Sequence, residues 1–162
     1  MRRYNRVVRR SMARPAAKVR RTRTRPVNYA TLAEWRYQLR LLLGRREAAA
    51  RAAGVEPQQY MLLLQIKGLE ARGAVTIGKL AERLQIRHHS AVELVDRLMK
   101  HGMVARRRHG GDRRQVVVQL RAPGEAVLRR LALNSLAELR AEAPALVATL
   151  RRLIREANER RR

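Results

Sequence analysis

No cysteine and no phenylalanine occur in this 162-residue chain, and aromatic residues make up only 3% of it. The first absence excludes a disulfide framework, a thiol-based switch and any cysteine-ligated zinc. The second requires an aliphatic core, for which the 46% hydrophobic content suffices. No apolar run approaches the ~18–20 residues that cross a bilayer. The basic opening residues lack the apolar stretch of a secretory signal. Catalytic signatures are missing too. There is no P-loop, no G-x-S-x-G, no H-E-x-x-H, and no pair of acids beside a glycine-rich turn. Neither an enzyme nor a cofactor is expected, and no membrane partner.

Acidic residues are scarce. Thirteen Asp and Glu stand against 38 Lys and Arg, a formal net charge of +25. Residues 1–27 hold eleven of the basic residues and no acid, with Pro15 and Pro26 and no lasting apolar period. They read as a disordered basic arm able to track phosphates. Residues 28–162 carry the other 27 basic residues against all 13 acids, so the remainder is basic without the arm. Arginine dominates, and its planar fork suits phosphate and guanine edges better than lysine does. Charge of this kind speaks to partners rather than to fold.

Residues 28–162 read as one domain, mainly helical. Leu32, Trp35, Leu39, Leu42 and Leu43 recur at helical spacing within 29–52, and Gly54 is a fitting stop. Glu56-Pro57 opens a second helix whose run Tyr60, Met61, Leu62, Leu63, Leu64 and Ile66 is too continuous for a surface element, so this helix should be covered on most sides. Thr76 is a candidate cap for a third helix facing inward through Ile77, Leu80, Ala81 and Leu84. After a break at Gln85-Ile86-Arg87, a fourth helix runs from about His88 to His101 and stops at Gly102. Ala91, Leu94, Val95 and Leu98 form its inner face, and His89, Glu93, Arg97 and Lys100 a polar stripe opposite.

Two strand-like runs follow, Val104 to Arg108 and Arg114 to Leu120, with Gly110 and Gly111 supplying the turn. Val116, Val118 and Leu120 alternate as in a half-buried strand. Arg106, Arg107, Arg108, Arg113 and Arg114 concentrate charge on this hairpin. Pro123-Gly124-Glu125 then opens a long helix to about Glu142. Pro144 predicts a break, and Leu146, Leu150, Leu153 and Ile154 a last helix. Helix, turn, basic helix and arginine-rich hairpin in this order point to a winged helix-turn-helix module over about 57–120. Its flanking helices, about 29–52 and 123–160, would form a dimerisation layer, because so small a module cannot bury their apolar stripes alone.

These residues resemble the MarR family of winged-helix transcription regulators. LAERLQI followed by HHSAVELVDRLMKHGMVARR is similar to the family's helix-turn-helix, and GGDRRQVVVQL to its wing with the Asp-x-Arg element. RAPGEAVLRRL is similar to the start of the fifth helix, and RYQLRLLLGRREAAARAAGVEPQQYMLLLQIKGL to the first two. The resemblance covers roughly residues 28–160. It implies six helices around a wing, a triangular homodimer, a bacterial cytoplasmic protein at the nucleoid, and repression at a pseudo-palindromic operator relieved by a small ligand. Two features depart from the pattern. The fifth helix is entered through Arg121-Ala122-Pro123 where a Thr cap is commoner, and the arginine-rich arm is unusually long.

Double-stranded DNA is therefore the expected partner. The major groove admits a helix and distinguishes the base pairs. Arg87, His88, His89 and Ser90 stand at the start of the fourth helix, the part nearest the bases in helix-turn-helix proteins. Glu93 is placed to accept from a cytosine amine and Arg97 to reach a guanine edge or a phosphate. Arg106 joins this set from the hairpin. The resemblance implies that Arg114 enters the minor groove, that Asp112 tethers it, and that Arg113 adds a phosphate contact. Adjacent His88 and His89 do not face each other on a helix, and no metal site is expected from them. Trp35, Tyr37 and Tyr60 are candidate neighbours of a pocket for an aromatic or phenolic effector, though aromatics at helical spacing are usually core. The rival to a regulator is a non-specific architectural or nucleoid DNA-binding protein, separable by salt dependence and sequence preference.

Overall fold

The computed structural model describes residues 26–109 and 112–159, with side-chain surroundings given except at 109 and 112–115. The expected basic arm thus lies almost wholly outside the described residues, as do Gly110 and Gly111 of the hairpin turn. The order is α1 (Tyr29–Ala52), α2 (Pro57–Glu70), α3 (Ile77–Leu84), α4 (His88–Lys100), β1 (Val104–His109), β2 (Asp112–Leu120) and α5 (Ala122–Glu159).

Local chemistry explains most boundaries. Asn28 caps α1 by accepting from the Thr31 amide at 3.1 Å. Gly54, at φ +80°, follows its end. Glu56 and Gln59 form a reciprocal capping box around Pro57 at the start of α2. Thr76 accepts from the Lys79 amide at 3.3 Å and caps α3. Gln85 ends α3 in the left-handed region, at φ 54°.

The core gathers around α2. Leu62, Leu63 and Ile66 are fully buried and pack with Leu80 of α3, Leu94, Val95 and Leu98 of α4, Val104 and Val118 of the hairpin, and Leu128 and Leu131 of α5. α2 touches α1, α3, α4, α5 and β2. Its covering is nevertheless incomplete. Met61 and Leu64 are exposed and line an apolar groove between α1, α2 and α5.

The hairpin departs from simple alternation. β1 and β2 pair antiparallel, Arg106 opposite Val118, with an irregularity between Arg108 and His109. Val118 is buried as expected, but so is Val117, while Val116 is exposed. The outer edge of β2 is partly occupied. The Val118 amide donates to the Val75 carbonyl at 2.8 Å, and Thr76 bridges to Val117. The segment before α3 thereby covers Val117 on the face that alternation assigns to solvent.

The break expected at Pro144 does not occur, and among the described residues the helices number five where six were expected. Ala122–Glu159 is one helix of 38 residues with Pro144 inside it. A proline in a helix interior costs about 3 kcal/mol through a lost donor and a crowded preceding turn. α1 runs antiparallel along α5 and ties it on both sides of that position. Arg46 donates to the Ser135 carbonyl at 3.4 Å, Arg45 pairs with Glu142, and Asn28 donates to Glu156 at 3.0 Å. Packing along this length outweighs the local penalty.

α5 is anchored at its entry. The Arg121 amide donates to the Met103 carbonyl at 2.9 Å, and Gly124 sits directly over that carbonyl. Lys67 at the end of α2 reaches Glu125 at 2.7 Å and Glu70 at 3.0 Å. The hydrogen bond to Glu125, then that to Glu70, holds the Lys67 amine above its ordinary pKa.

A Cβ at position 124 would collide with the Met103 backbone. Gly124→Ala should therefore destabilise the fold by about 1–3 kcal/mol in urea denaturation, the scale of overpacking. Gly68→Ala, at a helical site with open space around it, should instead gain about 0.5–1 kcal/mol. Equal effects at the two sites would contradict the close approach of α5 to Met103.

Candidate nucleic-acid interface

α3 and α4 are joined by three residues. Gln85 closes α3 with its left-handed backbone, and the Ile86 amide donates to the Ala81 carbonyl at 3.0 Å. Ile86 packs against the core, which fixes the second helix relative to the first. Arg87 then takes an extended conformation at the N-cap of α4 and makes no side-chain capping bond. The first amides of α4 are thus left for an external acceptor, and helix starts attract phosphate through both those donors and the helix dipole.

The two faces of α4 differ sharply. Ala91, Leu94, Val95 and Leu98 are buried. Arg87, His88, His89, Glu93, Arg97 and Lys100 are exposed, and Ser90 is half-buried beside them. Glu93 and Arg97 form an exposed pair at 3.4 Å, one turn apart. Seven of the ten expected contact residues are described with their side chains, and six of those gather on α4 with its N-cap.

The seventh, Arg106, behaves differently. Its guanidinium turns inward, pairing with Asp96 at 2.8 Å and donating to the Val92 carbonyl at 3.5 Å. Arg107 and Arg108 are the exposed arginines of β1. A sequence signal for this existed. Val104 opens β1 as a buried residue, so period-two alternation puts residue 106 on the same inner face. Asp96 was missed because it falls between the buried and polar stripes of α4. Asp112, Arg113 and Arg114 begin β2, but their side chains, and with them the expected Asp112–Arg114 tether, lie outside what is described.

The basic surface continues onto α3. Lys79 donates to the Ala74 carbonyl at 2.9 Å and Arg83 to Gln65 at 3.0 Å, both at exposed positions. Among the described residues no three His, Asp or Glu converge as metal ligands, and no helix is long and apolar enough to cross a membrane.

A separate groove of about 580 Å³ opens between α1, α2 and α5. Leu42, Leu43, Pro57, Met61, Leu64 and Leu139 make it apolar, and Arg46, Glu47, Gln58 and Tyr60 supply its polar atoms. Of the three aromatics expected near a pocket, Tyr60 lines it, its hydroxyl 3.5 Å from Ser135 Oγ. Trp35 and Tyr37 lie elsewhere on α1, Trp35 with the Arg36 guanidinium 5.8 Å from its ring centre.

Residues 53–115 match the family model described as the MarR family. No curated protein sequence matches the chain. Solved structures share its fold. AbsC, a MarR family transcriptional regulator from Streptomyces coelicolor, is 22% identical, covering 76% of this chain and 84% of its own, with a TM-score of 0.60. A variant of MepR from S. aureus bound to an oligodeoxyribonucleotide is 14% identical, covering 82% and 99%, with a TM-score of 0.60. CouR from Rhodococcus jostii bound to p-coumaroyl-CoA is 20% identical, covering 74% and 82%, with a TM-score of 0.59. At these identities the likeness concerns the fold.

The outer face of α4 should be dispensable for folding. Removing the exposed Glu93–Arg97 pair with Glu93→Ala should change stability by less than about 0.5 kcal/mol. Leu98→Ala on the buried face should cost about 2–5 kcal/mol. Chemical denaturation of both variants checks the assignment of faces.

Proposed function

We propose that this MarR-family winged-helix protein binds double-stranded DNA at preferred sequences and regulates transcription there. The observation that carries the reading is the division of α4. One side is locked into the core by four buried residues, and the other presents Arg87, His88, His89, Glu93 and Arg97 with no covering element. An exposed polar helix with free N-terminal amides fits the major groove in width and in chemistry. The wing then follows the same duplex. Arg107 and Arg108 lie on its exposed surface, Arg114 is assigned to the minor groove, Arg113 to phosphate, and Asp112 to orienting Arg114. A narrow minor groove has the negative potential that attracts such an arginine.

The protein acts as a homodimer, each copy presenting one α4 to successive turns of a pseudo-palindromic operator. Leu133, Leu136, Val147, Leu150 and Ile154 of α5 are exposed, together with Leu32 of α1. Contiguous apolar surface of this kind marks an interaction site, and a symmetric pair of copies is its commonest use. Residues 29–52 and 123–160 form the dimerisation layer, about 57–120 the DNA-binding module, and 1–27 an arm that adds phosphate contacts. The action is repression, released by a small aromatic or phenolic ligand in the groove beside Tyr60. An apolar groove with a few polar groups suits such a molecule. CouR, of the same fold, was solved with p-coumaroyl-CoA bound.

The second reading, a non-specific architectural protein, draws on the eleven basic residues of the acid-free arm. Selecting bound fragments from the source genome at near-physiological salt separates the two. A regulator enriches one symmetric site, whereas a coating protein enriches none and loses affinity steeply with salt. On the enriched site, Arg114→Ala should weaken binding by more than twofold, and a smaller change would count against minor-groove insertion.

Sedimentation should show a dimer for the unaltered chain. Leu136→Glu with Leu150→Glu should shift it toward monomer. A monomeric unaltered chain would refute the paired arrangement.

A further inference from the structure

The inward turn of Arg106 is costly and specific. Its side chain is only 28% exposed, and its Nε is buried with no acceptor among the described residues. A guanidinium is drawn out of water only where fixed partners offset the loss of hydration. Here the partners are Asp96 Oδ1 at 2.8 Å and the Val92 carbonyl at 3.5 Å, both on α4. Arg106 itself is on β1, opposite Val118. The contact therefore joins the wing to the helix beside it.

Such a tie is needed. A two-stranded hairpin has little stability of its own. This one is rooted by Val104 and Val118, both buried at its base. Beyond Arg106, residues Arg107 and Arg108 are exposed. Among the described side chains of β1, Arg106 is thus the last held against α4 before the tip. The far edge of β2 is pinned at Val117 and Val118 by the Val75-Thr76 segment, so on the α4 side the angle of the wing is left to Arg106, and without it contacts made at the tip would register less closely with those made by α4.

We propose that Arg106 is a positioning residue. By gripping Asp96 and Val92 it sets the angle between wing and α4, so that both meet one duplex together, and it contacts no phosphate itself. This rests on the DNA-binding reading above. It reassigns a residue that composition alone places among the phosphate contacts.

The two roles predict opposite signs. If Arg106 held a phosphate, Asp96→Asn would free it and remove a negative charge near the duplex, so binding would stay equal or tighten. As a positioning residue, Arg106 loses its partner and binding weakens, by threefold or more. Arg106→Lys keeps the charge but not the planar fork. It should bind about as weakly as Arg106→Met, whereas a phosphate contact would be largely retained by lysine. The double variant Asp96→Asn/Arg106→Met should be no weaker than the weaker single variant, the mark of one shared interaction.

A measurement without DNA stands beside these. The chain has no cysteine, so Lys100→Cys with Arg108→Cys gives two unique spin-label sites, one on α4 and one on the wing. The distance distribution between them should be narrow in the otherwise unaltered chain and broader when Asp96→Asn or Arg106→Met is added. An unchanged distribution overturns the proposal whatever the DNA results. So does a broadened distribution with unchanged affinity, or tighter binding by Asp96→Asn. If the unaltered chain selects no site while the distribution broadens as expected, the DNA-binding reading fails, and the role in docking falls with it.

Discussion

The apolar side of α2 is the constraint on which everything else depends. Leu62, Leu63 and Ile66 are sealed by residues from α3, α4, the hairpin and α5 at once. Each of those elements contributes buried residues to the cluster that α2 centres. Aliphatic side chains must supply this core without phenylalanine, and they do so by close packing rather than by large rings. Because one helix holds all the others, the orientation of α4 is set from behind. Its outer face can then be polar without cost to the fold.

That separation lets one short helix serve two purposes. Burial of Ala91, Leu94, Val95 and Leu98 fixes α4, while no outward residue carries packing energy. The turn before it contributes as well. Gln85 accepts a left-handed backbone, Ile86 returns to the core, and Arg87 is left extended with its side chain uncommitted. The wing is held by more than one means. β2 is flanked by β1 on one edge and by the Val75-Thr76 segment on the other, Val104 and Val118 share the apolar core with α4, and a charged contact between Arg106 and Asp96 is added to that packing. Apolar packing is tolerant of direction, whereas a charge-assisted contact with a planar donor adds geometric specificity.

The long α5 shows how far tertiary packing can override a local rule. Pro144 would ordinarily end a helix. Polar ties from α1 on either side of it, at Ser135, Glu142 and Glu156, keep the axis continuous. The groove beside Tyr60 lies between α2 and the paired α1 and α5. Met61 and Leu64 look like core residues in a linear reading and become groove walls there.

Much was legible in the chain itself. The spacing of leucines and alanines placed the inner faces of α3 and α4, because helical periodicity depends only on neighbours within a turn or two. The cap at Thr76, the opening of α2 at Glu56-Pro57 and the stops at Gly54 and Gly102 were legible for the same reason, while the Glu56–Gln59 capping box was not read. What escaped were effects of distant segments meeting. Val117 is buried by residues forty positions earlier, Pro144 is overruled by a helix at the other end of the chain, and Arg106 is turned inward by Asp96. Local sequence determined which elements form and which sides they hide. Only tertiary structure decided which arginine stays exposed and which is turned into the fold, because the cost of burying a charge depends on a neighbour that the surrounding stretch of sequence does not name.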